Sequence, residues 1–178
     1  AIVVISLVVY AYGLLLYVED GPDTGEEGDI EITVEGYQFG WEFLYPNGHS
    51  KMNELVVPAD KRIDLAVTSR DVWHNFGSSE LRIKSDAIPG ETSETWFSVS
   101  SDEVEAQGGE ATFRVECFEL CGSGHSAMKG QITVLPQDEW EEWYANTEGD
   151  SESASVEDAD PASDTSRVTG AAIGGVGA

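Results

Sequence analysis

Between residues 30 and 135, apolar and polar residues alternate in short runs. Ile30, Ile32 and Val34 form one run, and Ile63, Leu65 and Val67 another. Phe113, Val115 and Cys117 form a third, and Ile132 and Val134 a fourth. A period of two, rich in β-branched and aromatic side chains, predicts half-buried strands. Turn signals separate the runs: Tyr45-Pro46-Asn47-Gly48, Val57-Pro58, Ile88-Pro89-Gly90 and Gln107-Gly108-Gly109. Many short strands divided in this way predict a small β-sandwich or barrel. One helix is expected after it, from Asp138 to Tyr144. Trp140, Trp143 and Tyr144 fall on one face there and should pack against the sandwich.

The two ends differ from this middle. Residues 1–18 carry no charge, and eighteen helical residues would extend roughly 27 Å, near the thickness of a bilayer core. They are expected to form a transmembrane helix, truncated at its start, rather than a signal-peptide core or a buried helix. Residues 19–29 read as an acidic linker. Seven acids and no base lie between Glu19 and Glu31, which places the domain on the outer side of the membrane. The domain itself is expected over 30–146. Residues 147–178, rich in Ser, Ala, Gly and acids, read as a disordered tail.

The 178 residues hold 34 acidic and 9 basic side chains, a formal charge of −25. Phosphate binding needs clustered Lys and Arg, so nucleic acid is excluded as a partner. The acids are spread along the chain, which reads as adaptation to high salt, with a haloarchaeal origin expected. With two cysteines in all, there is no disulfide framework.

Those cysteines begin and punctuate the stretch richest in chemistry, Cys117-Phe118-Glu119-Leu120-Cys121-Gly122-Ser123-Gly124-His125-Ser126-Ala127-Met128. Thiolate, thioether and imidazole within twelve residues favour copper over oxygen-loving cations. A mononuclear copper site would use one Cys with two His and Met. A second Cys four residues on would let two thiolates bridge a pair of ions. Tetrahedral zinc, which has no use for Met128, and a Cys117–Cys121 disulfide are the competing readings. His49 reads as a solvated loop residue and Met52 as core.

The spacing Cys-x-Glu-x-Cys-x-x-x-His-x-x-Met resembles the binuclear CuA signature of subunit II of the haem–copper cytochrome oxidases. Three further segments share the likeness: Asp71-Val72-Trp73-His74-Asn75-Phe76, Asp86-Ala87-Ile88-Pro89-Gly90, and the aromatic run Gly36-Tyr37-Gln38-Phe39-Gly40-Trp41-Glu42-Phe43. The resemblance implies a mainly β, cupredoxin-like domain. Cys117 and Cys121 would bridge two coppers, with His74 and Met128 completing one and His125 and the Glu119 carbonyl the other. The Glu119 carboxylate would face a magnesium ion shared with subunit I. Electrons would come from a soluble donor, cytochrome c or a small blue-copper protein, through Phe39 or Trp41. They would pass to a haem in subunit I, in an assembly with the other oxidase subunits at the cell membrane. In the family a Trp usually stands where this chain has Phe39. A membrane-anchored copper carrier is the alternative in another functional class. Nitrous oxide reductase and quinol oxidase subunits fit less well, since Glu119 and all six ligand positions are present.

Overall fold

The computed structural model describes residues 1–20 and 30–147. After helix α1 (Ile2–Asp20) come β1 (Ile30–Tyr37), β2 (Gly40–Leu44), β3 (Ser50–Met52), β4 (Glu54–Pro58) and β5 (Ile63–Ser69). They are followed by β6 (His74–Ser78), β7 (Ile83–Ala87), β8 (Ser93–Phe97) and helix α2 (Ser101–Ala106). β9 (Ala111–Cys117), β10 (Lys129–Leu135) and helix α3 (Gln137–Thr147) complete the described chain. One sheet runs β3-β2-β1-β5-β8 and the other β4-β10-β9-β6-β7. The β1–β5 and β10–β4 pairs are parallel and the remaining pairs antiparallel. This is the expected mainly β, cupredoxin-like sandwich with a short C-terminal helix.

The alternating runs bury one face each. Ile32 and Val34 of β1, and Ile63, Leu65 and Val67 of β5, meet Val115 of β9 and Ile132 and Val134 of β10 in the shared core. Aromatic side chains fill the middle. Trp41 packs edge-on to Phe76 at 5.1 Å, and Phe43 edge-on to the same ring at 6.1 Å, the geometry favoured by ring quadrupoles. β4 and β6 break the alternation, because both of their faces are covered. Four of five residues in β4 and all five in β6 are buried.

At one pole α3 packs beside β4. Trp143 and Tyr144 lie 5.4 and 6.2 Å from Tyr45, and Trp140 stacks on Tyr144 at 4.7 Å. The Tyr45 hydroxyl accepts the Val56 N–H at 2.7 Å and donates to the Val56 carbonyl at 3.0 Å. It thereby stitches the end of one sheet to an edge strand of the other, and burial pushes its pKa above the ordinary phenol value.

Three expectations need correction. His49 is packed rather than free in solvent, with its ring 5.7 Å from Tyr45 and 5.8 Å from Trp143. Met52 is 48% exposed and lies outside the core, because β3 is an edge strand of the first sheet. The segment over 1–18 is helical with its apolar side chains exposed, but among the described residues no helix is long and apolar enough to cross a membrane. The nineteen residues of α1 extend roughly 28 Å, and the last two are Glu19 and Asp20. The acidic linker after residue 20 and the tail beyond residue 147 lie outside the described residues.

Candidate metal centre

Three neighbouring strands of the second sheet bring their ends together. β6 opens with His74, β9 closes with Cys117, and β10 starts one residue after Met128. Pairing of Phe76 with Cys117, and of Glu116 with Lys129, sets these ends side by side. The Cys117 N–H donates to the Met128 carbonyl at 3.3 Å, and the Phe118 N–H to the Asn75 carbonyl at 2.9 Å. Between them the loop folds on itself. The His125 N–H donates to Gly122 at 3.1 Å, and the Ala127 N–H to Gly124 at 2.9 Å.

The donor atoms converge. The Cys117 and Cys121 sulfurs are 3.9 Å apart. His74 Nδ1 lies 3.9 Å from Cys117 Sγ, while His125 Nδ1 and Met128 Sδ lie 3.6 and 3.7 Å from Cys121 Sγ. The Glu119 carbonyl is 3.2 Å from Cys117 Sγ, and its side chain is exposed. Among the described residues, His74, Cys117 and Cys121 offer ligand atoms that all lie within 4.8 Å of one another. Both cysteines are free thiols, so the disulfide reading does not describe this fold. His74, Met128, Cys121 and Cys117 are 0, 1, 4 and 9% exposed, so soft donors face one another out of water. Burial, followed by the neighbouring Cys117, pushes the Cys121 thiol up to about 11. Thiolate ligation therefore calls for a positive charge at this spot. Two sulfurs, a thioether, two imidazoles and a carbonyl suit copper, and the thioether has no place in a structural zinc site.

Polar and aromatic neighbours hold these donors. Asp71 Oδ1 is 2.8 Å from His74 Nε2. A proton on Nε2, donated to that carboxylate, leaves the Nδ1 lone pair toward the sulfurs. Burial raises the Asp71 pKa, but hydrogen bonds from His74, Gln38 and Val72 outweigh it and hold the carboxyl below its ordinary value. Trp41 is fully buried and lies edge-on to the His74 ring at 6.0 Å. Phe39, 37% exposed, lies over the loop. A Cβ on Gly124 would stand 2.4 Å from the Phe39 ring, so a bare backbone is what admits it. Of the two candidate entry rings, then, only Phe39 reaches the surface. Asp71 and Gln38 were not singled out from the sequence. An acid three residues before a ligand histidine was a usable signal for Asp71. Gln38 had none, since its loop partner Cys121 is 83 residues away.

Residues 42–135 match the family model described as cytochrome c oxidase subunit II, periplasmic domain. The chain is 38% identical over 146 residues to the haem–copper oxidase subunit 2 of Aeropyrum pernix, covering 80% of this chain and 59% of that protein. It is 36% identical over 123 residues to cytochrome c oxidase subunit 2 of Thermostichus vulcanus, covering 68% and 35%. The chain thus spans between a third and three fifths of these relatives. Among solved structures, the periplasmic domain of cytochrome oxidase subunit II from Bradyrhizobium japonicum superposes with a TM-score of 0.61 at 31% identity. That match covers 70% of this chain and 97% of the other. The converging donor set, the sandwich beneath it and the family match agree: the chain belongs to the cytochrome c oxidase subunit II family, through its periplasmic domain.

Proposed function

We propose that this chain is the electron-transfer subunit of a haem–copper terminal oxidase, built around a binuclear copper centre of the CuA type. The observation that carries this reading is the placement of two buried thiols 3.9 Å apart, with an imidazole nitrogen near each. Cys117 and Cys121 would bridge the metals. His74 and Met128 would complete one site, and His125 and the Glu119 carbonyl the other. Such a centre, once loaded, accepts and releases single electrons with little change in bonding.

The chain's own part is to orient and to exclude water. Asp71 fixes the His74 ring, and the core seals Cys117, Cys121 and Met128. Phe39 is the ring a soluble donor would touch, while Trp41 is sealed in the core, edge-on to His74. The donor would be cytochrome c or a small blue-copper protein, and the acceptor a haem in subunit I. The exposed Glu119 carboxylate, on the residue whose carbonyl lies beside Cys117, would supply an oxygen ligand to magnesium at the subunit I contact. The exposed apolar surface of α1 supports a place at the cell membrane, and the acidic, base-free flank from Glu19 to Glu31 supports the outer side for the domain. The acid excess fits a protein working in molar salt, where the Debye length is about 3 Å and long-range steering is lost.

Copper reconstitution of the full chain tests the reading. The expected outcome is two copper ions per chain with a purple mixed-valence spectrum. A single tightly held copper with blue-site absorption would overturn it.

A further inference from the structure

The turn between β1 and β2 belongs to the sheet that carries no ligand, yet it reaches over the site. Its first residue, Gln38, is bonded in two directions. The backbone N–H donates to Asp71 Oδ2 at 2.7 Å, and side-chain Nε2 donates to the Cys121 carbonyl at 2.5 Å. These partners are 33 and 83 residues away in sequence. Asp71 in turn holds His74 at 2.8 Å. One residue thus ties the segment that orients His74 to the segment that carries Cys121.

The loop is shaped to receive this amide. Gly122, directly after the bonded carbonyl, has φ +133°, and a Cβ there would lie 2.7 Å from Gln38 Nε2. Any side chain at 122 would be strained and would also displace the amide. Gln38 itself is exposed, so water could satisfy its amide equally well. What the bond adds is restraint. Holding the Cys121 carbonyl limits rotation of the 121–122 peptide, and with it the direction in which Cys121 presents its sulfur.

We infer that Gln38 is a positioning residue of the metal centre, a clamp that sets Cys121 against His74 before any metal binds. Its relevance to electron transfer rests on the copper reading above, whereas the clamp is a property of the metal-free fold.

The test uses the full chain. Gln38→Met keeps the length and stem but removes the donor, and Gln38→Lys restores a donor of similar reach. In copper-free protein, the amides of His125 and Ala127, bonded to Gly122 and Gly124, are followed by hydrogen exchange. In Gln38→Met they should exchange about fivefold faster, the effect of losing one modest hydrogen bond. Gln38→Lys should return them toward wild type, and Leu65 and Val115 should be unchanged. The copper-loaded Gln38→Met chain should keep its copper content and show a shifted midpoint potential. Unchanged loop exchange, equal acceleration through both sheets, or an unmoved potential would each overturn the clamp. If wild-type protein takes up no copper pair, the functional reading falls, and loop exchange alone decides the clamp.

Discussion

Strand β2 leads from the ligand loop at Gly40 toward the α3 pole at Leu44, and each end has a histidine among aromatic rings. His74 is wholly buried, lies edge-on to Trp41, and has one ring nitrogen on a carboxylate and the other toward a thiol. His49 is half-buried, lies between Tyr45 and Trp143, and is near Lys51, whose ammonium sits 5.5 Å from the Trp143 ring. Rings therefore do not separate a metal centre from a packing cluster. The atoms at the edges of the rings do. At the loop those atoms are sulfur, nitrogen and a carbonyl aimed at one small volume. At the α3 pole the Tyr45 and Tyr144 hydroxyls are already paired with backbone, at Val56 and at the Asn47 N–H, and the buried Trp140 N–H meets no acceptor among the described residues. One end is organised to take up a charge and the other to stay closed.

Substitutions at the two ends should accordingly fail in different ways. The largest effect is expected from Cys117→Ser, which should abolish the mixed-valence spectrum while the apo domain still unfolds cooperatively. A retained two-copper spectrum would erase the contrast. Tyr45→Phe should do the reverse. Loss of the hydroxyl leaves the Val56 N–H and carbonyl buried without it, at about 1–3 kcal/mol of stability by denaturant titration, with copper content unchanged. Met128→Leu should sharpen the picture within the loop. A thioether is a weak ligand, so copper should stay bound while its midpoint potential moves. Copper loss equal to that of Cys117→Ser would contradict this ranking.

The smallest effect belongs to Glu54. The hydrogen bond from Lys51 pulls its carboxyl below the ordinary value against a smaller contribution from burial, and Gln131 and Thr133 add to it. A depressed carboxylate contributes stability above its unfolded pKa, near 4.3, and loses it as pH falls through the folded value. Glu54→Gln should therefore flatten the acid limb of the stability curve below about pH 4.5. The pair is about a third exposed, so the change should be at most roughly 0.5 kcal/mol. An acid limb identical to wild type would show that the Lys51 pair contributes nothing.

Strands were legible where one face meets the core and the other meets water, as in β1, β5 and β9. β6 carries no such pattern, because a strand covered on both faces has no polar side to show. Helix α2 was missed although Ser100 caps it, accepting the Glu103 N–H, and Glu103 follows at the third helical position. Only Val104 of that helix is buried, and one apolar residue gives no periodicity. Donor identity in the loop could be read because thiol, imidazole and thioether are chemically rare and closely spaced. Asp71 was open to the same reading, three residues before His74, whereas the bonds of Gln38 were not, since they arise from pairing between distant segments. Exposure was equally hidden. Phe39 and Trp41 stand two apart on one hairpin, yet one reaches solvent and the other is sealed.

The division of the donor set between two stretches has a thermodynamic consequence. Cys117, Cys121, His125 and Met128 lie on one contiguous segment, whereas His74 joins them only when β6 pairs with β9. An unfolded chain therefore offers at most part of the set at once. Any ion that prefers the assembled group adds its occupancy to the native side of the folding equilibrium. By mass action, free metal at a hundred times its dissociation constant would deepen the native well by about 2.7 kcal/mol if the unfolded chain bound none, and by less as the contiguous segment competes.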